Sequence, residues 1–246
     1  MTTPSSWCIR PADQRFHSQS AWLDSWHSFS FAGHHHPDWM GFGPLRVIND
    51  DVIAAGHGFG MHPHRDMEII TVMVEGQLNH RDSMGNSGVI RAGDVQRMTA
   101  GSGIVHSEIN AGSSPCRLLQ IWIEPNAPNL TPEYEQRSIA VASGWTPLIA
   151  AQSSQGRQDN GAMRIARPVQ LWRAQPANGD RISLPATSHA FGWLQVIQGS
   201  IALTGHHNLS HTMQRGDGLG WPEGPERPES ITGRSDDADV LLFSMN

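Results

Sequence analysis

The chain has 246 residues, 16 % of them charged, a net charge of −6 and two cysteines. That length holds one large domain or two of roughly 120 residues, each able to bury its own core, and a charged share well below the usual figure of about 25 % excludes a coiled coil or a helical solenoid. All 17 basic residues are arginine and lie scattered, so there is no basic stripe to bind nucleic acid directly.

Along the chain, residues 1–14 carry no apolar run of the signal-peptide kind and no stretch of about 20 apolar residues follows anywhere. With Cys8 and Cys116 expected as free thiols, this predicts a soluble cytoplasmic protein without a membrane partner. His34-His35-His36, between Gly33 and Pro37, reads as a polar surface loop. Gly56-His57-Gly58-Phe59-Gly60 is not a dinucleotide fingerprint, because its third glycine is misplaced and no helix is expected to follow. Short apolar runs then recur: Ile69 to Val74, Leu118 to Ile123 and Val240 to Phe243, each bounded by Gly, Pro, Asn or Asp. Such runs predict strands, and the scarcity of helical periodicity predicts an all-β fold.

Glu124 to Pro132, with three prolines in nine residues, is the best linker. An offset of 123 residues, half the chain, superposes Gly76 on Gly199, Gly93 on Gly216 and Asp94 on Asp217, with apolar strands flanking each. Two similar β domains follow, expected at residues 1–130 and 131–246.

Histidine carries the chemistry. Chance alone supplies roughly one His-x-His in a chain with this many histidines, so the spacing needs context. His62-Pro63-His64 runs toward the apolar strand from Ile69, and residues two apart on a strand share a face about 7 Å from one another. The same parity extends to Ile70, Val72 and Val74, which predicts imidazoles and aliphatics pointing together into a barrel. His106-Ser107-Glu108 repeats the alternation. Three imidazoles and a carboxylate suit a redox-capable divalent ion such as Fe(II), Mn(II), Ni(II) or Cu(II) with open positions. Glu68 competes for the carboxylate place; on a straight strand it lies about 13 Å from His64, which favours Glu108.

Gly56 to Glu68, Glu75-Gly76, and Gly93-Asp94 through Met98-Thr99-Ala100-Gly101, Gly103-Ile104, His106 and Glu108 resemble the pirin family of the cupin superfamily, as do Ser25 to Phe31 and Met40 to Asp51. The similarity is dense over about residues 7–137. It departs from the general cupin pattern in carrying seven residues between Glu68 and Gly76, Thr99 in place of a proline, and a histidine two places later, all features of pirins. The resemblance implies a bicupin, two jelly-roll β-barrels in tandem, whose N-terminal barrel binds one metal through His62, His64, His106 and Glu108. It implies Fe(II) as the usual metal, with Mn, Ni, Cu, Co and Zn as the other candidates. It further implies quercetin 2,3-dioxygenase activity on a flavonol-like substrate with O2, Glu108 doubling as the catalytic base. A non-enzymatic, metal- or redox-dependent regulator that binds a protein partner is the alternative, and a monomer is expected in either case.

At the 123-residue offset the four ligands fall on Pro185, Thr187, Glu229 and Ile231, so the C-terminal barrel should hold no metal. His206, His207 and His211 are expected in a solvated loop.

Overall fold

The structure, a computed structural model, describes residues 7–152, 161–187, 191–205, 210–224 and 227–246. The described residues form β1 Cys8–Arg10, β2 Phe16–Gln19, β3 Leu23–His27, β4 Leu45–Ile53, β5 Gly58–His64, β6 Glu68–Glu75, β7 Gln77–Asp82, β8 Ser87–Arg91, β9 Asp94–Thr99, β10 Ile104–Ile109 and β11 Cys116–Ile123. They continue with β12 Glu133–Ser138, β13 Thr146–Ala151, β14 Met163–Ile165, β15 Val169–Ala174, β16 Arg181–Ser183, β17 Phe191–Gln198, β18 Ser200–Thr204, β19 Ser210–Gln214, β20 Gly218–Trp221, β21 Ser230–Gly233 and β22 Asp239–Met245. No described helix is long and apolar enough to cross a membrane.

These strands make two barrels, each a large sheet facing a small one. In the first, the order β12-β9-β6-β11-β4-β3-β2 faces β5-β10-β7-β8; in the second, β1-β20-β17-β22-β15-β13-β14 faces β16-β21-β18-β19. Apart from the outermost strands, where β2 precedes β3 in the chain but β14 follows β13, the two orders correspond strand for strand, so the repeat seen in the sequence is a repeat of topology. Gly76 and Gly199 occupy the same corner, where the chain leaves the large sheet for the small one, with φ of 73° and 64°. A Cβ on Gly76 would lie 2.9 Å from Cys116 Cβ. Gly76→Ala should therefore cost about 1–2 kcal/mol from the left-handed backbone alone, read as a fall in the urea midpoint. The Gly-Asp turns also coincide: Asp94 Oδ2 accepts from the Arg91 amide and Asp217 Oδ2 from the Gln214 amide, at 2.9 and 2.8 Å.

The domain boundaries need correction. The first unit runs from Arg15 to Ile139 with residues 165–167; the second takes the chain up to Gln14, Ala140–Arg164 and everything from Pro168. At the expected 130/131 division the proline-rich stretch is tied down to the first unit. Asn129 donates its amide to Asp66 and accepts from Arg65, and Leu130 O accepts from the Ser102 amide. Beyond it, β12 extends the large sheet of the first barrel beside β9, as β1 does beside β20 in the second. Each barrel thus borrows the strand that precedes the other repeat. Edge pairing is a long-range contact that local composition does not encode.

The parity expectation also changes. Asp66, at φ 49°, sits in a turn between β5 and β6, and the two strands belong to different sheets. The turn resets the alternation, so Thr71 and Met73, not Ile70, Val72 and Val74, face the barrel interior with the histidines. Thr71 bonds Gln120 on β11, while Met73 packs with Leu78, Ile90 and Cys116. Cys8 and Cys116 are both free. His211 lies in β19, paired with Leu203, rather than in a loop; His206 and His207 are outside the described residues.

Candidate metal centre

The three histidines and the glutamate expected as ligands stand on two neighbouring strands. His62 and His64 stand on β5 and His106 and Glu108 on β10, with His106 directly across from His62 and Glu108 across from Phe59, a register irregularity intervening. Gly58 permits this approach: a Cβ there would come within 2.2 Å of Glu108 O. The ring centroids of the three histidines lie 4.4 to 4.9 Å apart. One ligand atom from each falls within 4.8 Å of the others, and among the described residues these three are the group able to hold an ion.

Their electrostatics fit a cation. Burial, reinforced by His62, lowers His64 to about 4; burial, then His62 and His64, lowers His106 to about 3. Both rings are neutral donors at pH 7. His62 Nδ1 lies 2.7 Å from Gly60 O, which places the proton there and leaves Nε2 as the donor. His106 is buried with neither ring nitrogen hydrogen-bonded. Such an orphan is costly in a fold unless something else satisfies it, and a bound metal does. Because the fold favours the neutral rings, the unfolded chain takes up protons first, from about pH 6.5. The metal-free protein should hold full stability above that pH and lose it progressively toward about 4 and about 3. Urea midpoints at descending pH will show the fall, and His64→Gln should flatten it.

Glu108 is not a member of the three-histidine cluster. It is buried, lines the same cavity, and accepts from Gln120 Nε2 at 3.0 and 3.3 Å. Burial raises its carboxyl above the ordinary range, against the lowering pull of Gln120, His62 and Thr71. Glu68 is elsewhere: it accepts from the Thr99 hydroxyl and does not line the cavity. The cavity encloses about 350 Å³, with Phe31, Phe59 and Trp122 as its aromatic walls. Sequence reading missed Ser25, His27, Asn49 and Asp51 on another wall. Their signal was present as polar residues at alternate positions of β3 and β4. His80 on β7, held by Asp82 and Gln96, lies 5.4 Å from His106 between ring centroids and was missed as well.

The second barrel shows what the polar residues of the first replace. At the repeat offset, with β22 shifted by one, Thr71, His80, Gln96, Glu108 and Gln120 correspond to Leu194, Leu203, Leu219, Ile231 and Leu242. All five are buried in one apolar cluster spanning both sheets. Where the first barrel lines a cavity with polar side chains, these five positions of the second are apolar core.

The family model Pirin matches residues 10–123, and the model for the quercetinase C-terminal cupin domain matches residues 150–245. A protein of Escherichia coli K12 named quercetin 2,3-dioxygenase is 39 % identical over 240 residues, covering 96 % of this chain and 97 % of its own length. A putative quercetin 2,3-dioxygenase of Zymomonas mobilis is 42 % identical over 235 residues, covering 96 % and 97 %. Among solved structures, the bacterial pirin YhhW of Escherichia coli in complex with nickel(II) is 39 % identical, covers 97 % of this chain and 98 % of its own, and has a TM-score of 0.87.

Proposed function

Because this chain belongs to the pirin family, we propose that its N-terminal barrel is the centre of a metal-dependent dioxygenase, an oxidoreductase that cleaves a flavonol such as quercetin with O2. The observation that carries this reading is three converging imidazoles, one with both nitrogens unpartnered, opening on a cavity with a buried carboxylate on its wall. His62, His64 and His106 would hold one divalent transition ion, Fe(II) first, and Glu108 would complete the set. The nickel(II) in YhhW supports a divalent ion in a chain this similar. Bound there, the ion supplies Lewis acidity that favours the ionised form of an enolic hydroxyl.

The chain's own residues do the rest. A cavity of about 350 Å³ is within the range of small-molecule sites. Phe31, Phe59 and Trp122 offer flat apolar surface to an aromatic ring and exclude water around it. Glu108, raised by burial, is suited to take the hydroxyl proton. Gln120, by donating to that carboxylate, holds it in orientation. The second barrel supports the first without chemistry of its own. We read the protein as a cytoplasmic monomer whose partners are the substrate and O2.

Protein loaded in turn with Fe(II), Mn, Ni, Cu, Co and Zn is expected to consume O2 in step with loss of flavonol absorbance for at least one metal. Absence of uptake for every pairing, with His62→Ala instead altering capture of a protein partner, would replace the enzyme with a metal-dependent regulator.

A further inference from the structure

The cavity has a polar wall that the chemistry above leaves unused. Ser18 on β2, Ser25 and His27 on β3, and Asn49 and Asp51 on β4 all line it. Asp51 Oδ1 accepts a short hydrogen bond from the Ser25 hydroxyl, and among the described residues no side chain donates to its other oxygen. With its proton committed to Asp51, Ser25 Oγ can only accept, and His27 Nδ1 is 3.3 Å away. The 2.8 Å contact of the same nitrogen with Asn49 Oδ1 independently requires the proton on Nδ1. His27 Nε2 is then an acceptor, filled by the Ser18 hydroxyl at 2.9 Å, and Ser18 Oγ in turn accepts from His34 Nε2 at 3.0 Å. Every donor in the row points the same way, from His34 to Asp51.

The outer end reaches solvent. His34 is half-buried, stacked on Phe16 at 5.4 Å, and followed by the exposed His35 and His36. The inner end is a buried carboxyl. A network serving only to brace the sheets needs neither a solvent terminus nor one common direction.

We propose that this row is a proton-entry path and that Asp51 is a catalytic acid, loaded through it, which protonates an anionic oxygen of the bound substrate or product. The proposal rests on reading the cavity as the substrate site. In the delivering step the Asp51 carboxyl gives its proton to the oxyanion, leaving a carboxylate and a neutral hydroxyl. His34 then passes its Nε2 proton to Ser18 and takes one from solvent on its other ring nitrogen. The Ser18 proton moves to His27 Nε2, the His27 Nδ1 proton to Ser25, and the Ser25 proton to Asp51. One proton enters for each delivered, and no electrons move. The hydroxyls and the His27 protons reset before the next cycle.

The charge environment agrees. Burial raises Asp51 to about 7, with the Ser25 hydrogen bond opposing and Asp50 and Glu108 adding to the rise, so a protonated carboxyl is available at neutral pH. Of the groups around it, Asp50 on its own strand is engaged by Arg117 of β11 and approached by Arg15. His27 of β3 is lowered, chiefly by burial, and stays neutral. Cys116 of β11 is raised to about 11, chiefly by burial. Glu108 and Asp51 then divide the work: Glu108 takes the hydroxyl proton and releases it to solvent as product leaves, and Asp51 returns a proton, so the protein ends each cycle with the protons it began with.

Time-resolved infrared spectra of the metal-loaded full chain under argon, after a downward pH jump, would follow the Asp51 carboxyl, identified by its loss in Asp51→Asn. His34→Gln and Ser18→Ala are each expected to slow its protonation by about tenfold or more. Imidazole in the buffer should restore the rate in His34→Ala but not in Ser18→Ala. With flavonol, Asp51→Asn should lower kcat by about 100-fold while flavonol affinity and metal content stay within a factor of about three. Protonation at the wild-type rate in both path variants would overturn the proposal. If the wild type turns over no flavonol but the variants still slow the infrared signal, the path stands and the dioxygenase reading falls.

Discussion

His106→Ala should strip the protein of metal and of its metal-dependent activity together. His106 is the buried member of the three-histidine cluster, and both its nitrogens lack a protein partner. Removing it leaves two imidazoles on β5 with Glu108 as the sole donor from β10, a set short of one of its three nitrogen ligands. The expected result is a metal content near zero after dialysis and a drop in flavonol turnover of at least about a thousandfold, to the rate of free metal. A second readout separates site from fold. A metal that binds the folded chain alone stabilises it by about 4 kcal/mol at a thousand times Kd, so added metal should raise the Tm of the wild type and leave that of His106→Ala unmoved. Metal-free, the variant should be at least as stable as the wild type below pH 6.5, because the buried ring that resists protonation is gone. A variant that binds metal with wild-type stoichiometry would sink the three-histidine site.

The second large effect concerns stability. In the first barrel Arg117 on β11 grips Asp50 on β4 through Nε and Nη2, at 2.8 and 3.0 Å, both side chains buried. In the second barrel Arg173 on β15 grips Asp239 on β22 with the same fork. By strand correspondence β15 stands for β4 and β22 for β11, so the two barrels hold the same ion pair with its charges exchanged. Breaking one member leaves a buried charge alone and should cost about 3–5 kcal/mol; Asp50→Ala is expected to lose that much in urea unfolding. Asp50→Arg with Arg117→Asp adopts the arrangement already present in the other barrel and should recover most of the loss. Recovery will be incomplete because Arg15 Nη1 lies 3.9 Å from Asp50 and would face an arginine. A double variant no better than the sum of its singles would show that the pair is held by context rather than by complementary charge.

Much of this was legible in the residues. The β-branched runs bounded by Gly and Pro marked strands, because strand propensity and turn chemistry are local. The repeat was legible because the corner glycines and the Gly-Asp turns are local backbone requirements that recur at the offset. The wall carrying Asp51 and His27 was visible only as alternation, with nothing to say which face of each strand looked inward.

What the sequence determined by itself is therefore the class of fold, its doubling, and the identity of the histidines that meet. Each depends on residue type and short spacing. The tertiary structure alone decided which side chains share a space. A single residue in a turn, Asp66, reverses the face that β6 presents, and β1 and β12 add to the sheets of the opposite repeat. Glu108 and Gln120 meet Thr71 from three strands, and five side chains from β2, β3, β4 and the loop between β3 and β4 line up into one hydrogen-bonded row. Register, twist and sheet closure set these long-range pairings, and they are global properties of the packed chain.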